Sequence, residues 1–161
     1  MTPTASAASL LHVACQDLHA GKAMQAERLP ALADAAGREL AGLIREEAAR
    51  AEAQAGRLAG TGLDTAGPAN LWMAGILDDA ARDARSHQPG RLRDIALIGA
   101  LRKAKAAEIV SSETAIALAG ELGNAALAAA VAAHRAEEIA SDRALRRLLL
   151  SSTGHGGAMR G

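Results

Sequence analysis

Residues 125–150, AALAAAVAAHRAEEIASDRALRRLLL, carry the pattern that decides the fold. Ala has the highest intrinsic helix propensity, and neither Gly nor Pro interrupts this stretch. Steps of three and four residues place one set of side chains on the inward face of the predicted helix: Leu127, Val131, His134, Glu138, Ser141 and Leu145. This face is apolar at both ends and polar in the middle. We therefore predict a long helix that carries ionisable groups toward the protein interior.

Three further tracts repeat this pattern, at about 9–36, 38–59 and 91–119. Residues 60–93 hold most of the breaker residues, and we interpret them as a crossover with one short helix at 71–84. The inward face of the first tract consists of Leu11, Cys15, Leu18, Lys22, Gln25 and Leu29. That of the second consists of Leu40, Leu43, Glu47, Ala51 or its neighbour Arg50, Gln54 and Leu58. That of the third consists of Ile98, Leu101, Lys105, Glu108, Ser112 and Ala115. Two helical hairpins joined by one long connection predict an all-α, ferritin-like antiparallel four-helix bundle, with a short fifth helix in the crossover. We expect residues 1–150 to form this single domain and 151–161 to form a flexible C-terminal tail.

Length and composition limit the classes of function. The 161 residues suffice for one compact domain, and the absence of Tyr and Phe argues against a sheet-based fold. Lys and Arg number 18, and so do Asp and Glu, so the chain lacks the net positive field of a nucleic-acid binder. No stretch approaches the ~20 apolar residues that span a bilayer, so we expect no membrane partner. The single Cys15 and the lack of a signal-like start favour the cytoplasm.

Antiparallel packing would bring the polar middles of the four inward faces to one level. The expected interior polar cluster contains Lys22, Glu47, Arg50, Lys105, Glu108, His134, Glu137 and Glu138. Bundle metal sites use carboxylates together with Glu and His three residues apart, and His134 and Glu137 have that spacing. However, the ammonium groups of Lys22 and Lys105 have no lone pair for a cation.

We therefore predict a cluster of buried Lys–Glu ion pairs with no metal ligands, no cofactor and no catalytic residues. Glu137 or His134 would complete its hydrogen bonds, and the sequence leaves open which of Glu137 and Glu138 faces the core. On the solvent faces, we expect ion pairs four residues apart at Asp34–Arg38, Glu46–Arg50 and Asp142–Arg146.

Spaced fragments over about 10–148 resemble the bacterial ferritin-like, YciF-like stress-protein family. They are Asp17-Leu18 with Leu29-Pro30, Glu39-Leu40, Gln54 with Arg57-Leu58, Gly75-Ile76, Asp94 with Leu97-Ile98, Glu108-Ile109, Leu122-Gly123, and Glu137-Glu138 with Asp142 and Leu145. The resemblance implies a ferritin-like fold, a dimer and a two-metal site with acidic and His ligands.

The chain departs from the family pattern where the metals would bind. Against that pattern, Lys22 replaces a Glu of the first helix, Glu47 replaces a His and Arg50 replaces a Glu. Lys105-Ala106 stands where the pattern has Glu-His, whereas Glu108, Glu137 and Glu138 match it. The resemblance thus implies that the scaffold is kept while ion pairs replace the metals.

Three functional hypotheses follow. The first is a stress-associated, non-enzymatic bundle, cytoplasmic and homodimeric, with a degenerate metal site. The second is an iron or manganese protein with oxidase or peroxide-related activity, whose ligands would be Glu47, Glu108, His134, Glu137 and Glu138. The third is an interaction module that presents an Ala-rich helix face to a protein partner.

Overall fold

The computed structural model describes residues 5–154 and confirms the all-α fold. Within that range the helices are α1 (Ala7–Ala35), α2 (Arg38–Ala59), α3 (Leu71–Ser86), α4 (Arg91–Glu121) and α5 (Ala125–Ser152). Helix α5 continues two residues beyond the predicted domain end at 150. The rest of the predicted tail, residues 155–161, lies outside the described residues.

Polar side chains fix the start of three helices. Ser6 and Ser9 form a reciprocal capping box at α1. The Asn70 side chain accepts a hydrogen bond from the Met73 backbone at α3, and the Asn124 side chain accepts one from Leu127 at α5. Such caps satisfy backbone donors that have no partner within the helix.

The long helices form two antiparallel hairpins, α1 with α2 and α4 with α5. Helix α1 also lies beside α4, α2 lies beside α5, and α3 covers the seam between α1 and α4. Two apolar cores occupy opposite parts of the bundle. One includes Leu29, Leu40 and Leu145, and the other includes Leu58 and Val131. The polar middles of the helices lie between these cores.

Helix α3 is held against α1 by both polar and apolar contacts. The Trp72 indole N–H donates to the Asp17 carboxylate at 2.7 Å, and the Asn70 amide donates to the Asp17 backbone carbonyl at 2.9 Å. Met73 and Leu77 are buried beneath them. The crossover therefore closes one side of the bundle. No helix described here has an apolar segment long enough to traverse a bilayer.

Candidate functional site

The middle of the bundle contains five buried ionic side chains from all four long helices. We call Lys22, Glu47, Lys105, Glu108 and Glu138 the ionic cluster. Each lies on the inward face of its helix, so ordinary helical packing brings them together. Both lysine side chains are fully buried, and the glutamates are at most 5% exposed. Water therefore screens these charges very little.

Lys22 of α1 binds carboxylates from two other helices. Its Nζ donates to Glu108 Oε2 of α4 at 2.7 Å and to Glu138 Oε1 of α5 at 2.8 Å. The second oxygen of Glu108 accepts a hydrogen bond from the Gln25 amide at 2.9 Å. Lys22 thus joins the two hairpins through the interior.

Lys105 of α4 makes an equivalent bridge on the other side of Glu138. Its Nζ donates to Glu138 Oε2 at 2.7 Å and to Glu47 Oε1 of α2, and Glu108 Oε2 lies 3.8 Å away. Glu138 binds one lysine through each carboxylate oxygen. It is therefore the shared centre of the ionic cluster.

Neighbouring polar groups surround the cluster. Arg50 Nη1 donates to Glu47 Oε2 at 2.8 Å, and the Ser141 hydroxyl donates to the same oxygen. The Gln54 amide donates to Glu138 Oε1 at 3.1 Å and to Glu137 Oε2 at 2.7 Å. These contacts supply the remaining hydrogen bonds of the buried carboxylates, as a buried ion pair requires.

The structure separates the roles of Glu137 and Glu138, which the sequence left open. Glu138 faces the core, whereas Glu137 is half-buried and forms a two-point contact with Arg57 at 2.8 and 3.3 Å. Burial raises the pKa of Glu137, but hydrogen bonds from Arg57 and Gln54 outweigh it and lower the pKa overall. Glu137 therefore closes the outer edge of the site as a carboxylate.

Opposing forces set the protonation of the buried groups. Burial lowers the pKa of Lys105, but attraction to Glu138, Glu47 and Glu108 outweighs it, so the pKa lies above its ordinary value. Burial likewise raises the pKa of Glu138, and the pull of Lys105 and Lys22 brings it below its ordinary value. Burial raises the pKa of Glu108 to about 8, against the pull of Lys22. Glu108 thus takes up a proton more readily than Glu138.

The ion pairs also balance in number once Glu108 is ionised, above its pKa of about 8. Lys22, Lys105 and the half-buried Arg50 face the three glutamates of the cluster. Removing two charges from water costs several kcal/mol per ion, which the attraction offsets only where every charge is paired. The arrangement meets that condition when Glu108 is ionised, and when Glu108 is protonated Lys22 keeps Glu138 as its charged partner. We infer that it fixes helix register more than it adds net stability.

His134 lies beside the ionic cluster without joining it. Its Nε2 is 4.0 Å from Glu108 Oε1, too far for a hydrogen bond, and neither ring nitrogen has a hydrogen-bond partner among the described residues. Burial, together with the positive charge of Lys22, lowers the pKa of His134 to about 4. The ring is therefore neutral at pH 7.

This neutral histidine should make the protein sensitive to acid. The pKa of His134 falls from 6.5 to about 4 on folding, so between these values the unfolded chain binds the extra proton. The stabilising contribution is complete above pH 6.5 and is lost as the pH falls toward 4. We expect the free energy of unfolding of the wild type to drop by about 3 kcal/mol more than that of His134→Gln between pH 7 and pH 4.

Urea unfolding at a series of pH values measures this difference. Titration of the glutamates is common to both proteins and cancels in the comparison. Parallel pH profiles for the wild type and His134→Gln would contradict a buried neutral histidine.

The residues present do not fit a two-metal centre. The ligand atoms of Glu108, His134 and Glu138 lie within 4.8 Å of one another, a spacing that one ion could bridge. However, the Lys22 ammonium already contacts both of these glutamates, and Lys105 holds the other oxygen of Glu138. An ammonium cannot donate a lone pair to a metal, and its positive charge repels one. A cation would have to displace a buried lysine.

The eight residues of the predicted interior polar cluster lie in one region, though in different roles. Five form the ionic cluster, Arg50 binds Glu47, Glu137 binds Arg57 and Gln54, and His134 stands unpartnered. Four partners in the site had no predicted role there: Gln25, Gln54, Arg57 and Ser141. Three of these were already on the predicted inward faces, and that position was the available signal.

The fold and the site together define a ferritin-like helical bundle with an ion-paired centre. The chain belongs to the DUF892 family, a domain of unknown function, whose profile matches residues 6–155.

Two solved structures are similar to this chain. The crystal structure of the E. coli stress protein YciF superposes with a TM-score of 0.89 at 22% identity, covering 94% of this chain and 99% of that one. The protein YcfI of Rhodopseudomonas palustris gives a TM-score of 0.83 at 21% identity, covering 88% of this chain and 94% of that one. No curated protein sequence matches the chain. These findings establish a YciF-like family and its fold.

Proposed function

We propose that this protein is a stress-associated, YciF-like bundle without enzymatic activity, in which lysine ammonium groups take the place of a metal centre. One observation carries the proposal: the Nζ atoms of Lys22 and Lys105 lie between the carboxylates of the ionic cluster, at 2.7 Å from Glu108 and from Glu138 respectively. A stress-related role is proposed by likeness to the E. coli stress protein.

The chemistry of the site supports a structural role for these charges. Both oxygens of Glu138 and of Glu47 already accept hydrogen bonds, so neither carboxylate is free to act as a general base or a ligand. Ion pairs that connect all four long helices specify which helix faces meet, a role attested for buried polar groups in other bundles. Assembly as a homodimer is part of the proposal and is supported by the family resemblance alone, and a cytoplasmic location is proposed from the single Cys15.

Metal analysis tests the proposal against the metalloprotein hypothesis. We expect protein purified without chelators, from cells grown with added iron and manganese, to contain far less than one metal ion per chain. Elemental analysis by mass spectrometry, normalised to protein concentration, measures this ratio. A stoichiometric content that survives gel filtration would contradict the proposal and favour an iron or manganese protein.

A further inference from the structure

Four buried polar atoms next to the ionic cluster have no hydrogen-bond partner among the described residues. They are Oε1 of Gln54 on α2, Oγ of Ser112 on α4 and both ring nitrogens of His134 on α5. The three residues are at most 1% exposed. Nearly all buried polar atoms in native proteins are bonded to protein or to ordered water, because an unpaired one destabilises the fold. These four atoms therefore indicate a bound partner.

Ser112 and His134 lie at the same level of the bundle. Ser112 follows Glu108 by one turn of α4. His134 precedes Glu138 by one turn of α5. Since α4 and α5 are antiparallel, both steps lead in the same direction, from the ionic cluster toward the apolar core that includes Val131. The two side chains thus lie between the charged and the apolar parts of the interior.

Gln54 reaches this region from α2. Its Nε2 donates to Glu137 Oε2 at 2.7 Å and to Glu138 Oε1 at 3.1 Å. Because both acceptors are carboxylate oxygens, the orientation of the amide is fixed and Oε1 is left as a free acceptor. Ala51, one turn earlier on the inward face of α2, is fully buried and contributes only a methyl group. We call Gln54, Ser112 and His134 the polar layer.

We propose that the polar layer binds internal water, with one or two molecules held as a structural ligand between α2, α4 and α5. Water both donates and accepts, and so does the layer: a neutral His134 ring has one N–H and one acceptor nitrogen, the Ser112 hydroxyl does both, and Gln54 accepts. Buried waters make about three hydrogen bonds to groups of this kind. The 4.0 Å between His134 Nε2 and Glu108 Oε1 is too long for a direct bond, but one water at about 2.8 Å from each atom spans it.

The charges around the polar layer favour a neutral ligand over an ion. The buried carboxylates of Glu108 and Glu138 would repel an anion. The Lys22 ammonium contacts both of these carboxylates and would repel a cation. An apolar molecule would leave all four polar atoms unpaired. Water is the smallest neutral molecule that satisfies donors and acceptors together.

A pair of serine substitutions on α4 tests the site through stability. Ser112→Ala removes a hydroxyl that bonds to the bound water, whereas Ser111→Ala removes one that has no partner among the described residues and lies half-buried beside it. Both changes raise helix propensity equally, so the difference between them isolates the hydrogen bond. We expect Ser112→Ala to melt about 2–4 °C below Ser111→Ala in thermal unfolding.

Oxygen-17 relaxation dispersion of the solvent counts the bound water directly on the full chain, because it detects molecules held for longer than nanoseconds. We expect His134→Leu to lower this number by about one per chain, and the exposed-site control His12→Leu to leave it unchanged. Should His134→Leu fail to fold, the serine pair decides alone.

Two results would overturn the proposal: an unchanged number of long-lived waters in folded His134→Leu, or a melting temperature of Ser112→Ala at or above that of Ser111→Ala. Neither measurement involves a metal, so the outcome is independent of the metal analysis that tests the proposed function.

Discussion

Replacing Lys105 with methionine is expected to lower the free energy of unfolding by about 3–5 kcal/mol. Methionine fills most of the same volume but leaves Glu47 and Glu138 buried without their shared cation. A buried charge that is left without a balancing cation destabilises the fold far more than the intact ion pair stabilises it. Since a domain of this size is stable by only about 5–15 kcal/mol, the variant should be close to unfolding at 25 °C.

Lys103→Met provides the matched control on the same helix. Lys103 is 69% exposed and its amino group lies 3.9 Å from Asp79, so its loss should change stability by no more than about 0.5 kcal/mol. Adding Glu138→Gln to Lys105→Met should recover part of the loss, because it removes one of the stranded charges. Urea unfolding measures all four proteins. Equal effects of the substitutions at 103 and 105 would show that the buried lysine is not paired as described.

The double reversal Lys22→Glu with Lys105→Glu is expected to raise the affinity for metal above that of the wild type. The two new carboxylates would lie beside Glu47, Glu108, Glu138 and His134. Together these groups offer carboxylate oxygens and an imidazole nitrogen, which suit iron and manganese. Without metal, the crowded carboxylates should repel one another and the variant should be much less stable than the wild type. Added Mn²⁺ at a thousandfold excess over the Kd should restore about 4 kcal/mol.

Thermal unfolding with and without Mn²⁺, together with titration calorimetry, measures this gain. A control with two surface reversals, Lys103→Glu and Arg135→Glu, changes the net charge equally and should not gain affinity. A folded double variant that binds no more Mn²⁺ than this control would contradict the account. So would a variant that stays unfolded at saturating metal, because the four helices would then not present their charges at one level.

Much of the fold was predictable because the inward faces follow simple helical spacing. All the predicted inward residues of α1, α4 and α5 are buried. The exception is α2, where Ile44 is buried in place of the predicted Leu43, and Ala51 faces inward rather than Arg50. Adjacent side chains on an α-helix point about 100° apart around its axis, so the sequence pattern alone does not decide which of two neighbours faces the core. The rotation of the helix against its partners decides it.

Contacts between helices were harder to predict. Asp34 binds Arg45 of α2 and not Arg38, and Asp142 binds Arg102 of α4 and not Arg146. Within α2, Arg50 binds Glu47 three residues away and not Glu46. Local spacing identifies partners on the same helix, but it contains no information on competing residues from a neighbouring helix. The same limit explains the amide partners Gln25 and Gln54, whose burial was predicted while their hydrogen bonds were not.

A crystal structure of protein from cells grown with iron and manganese, with anomalous diffraction recorded at both metal edges, distinguishes lysine from metal at the centre of the bundle. We expect a lysine amino group at hydrogen-bond distance from Glu108 and Glu138, and no anomalous peak between the helices. A metal ion that produces an anomalous peak and is coordinated by Glu108, His134 and Glu138, with the Lys22 side chain turned away, would contradict this expectation.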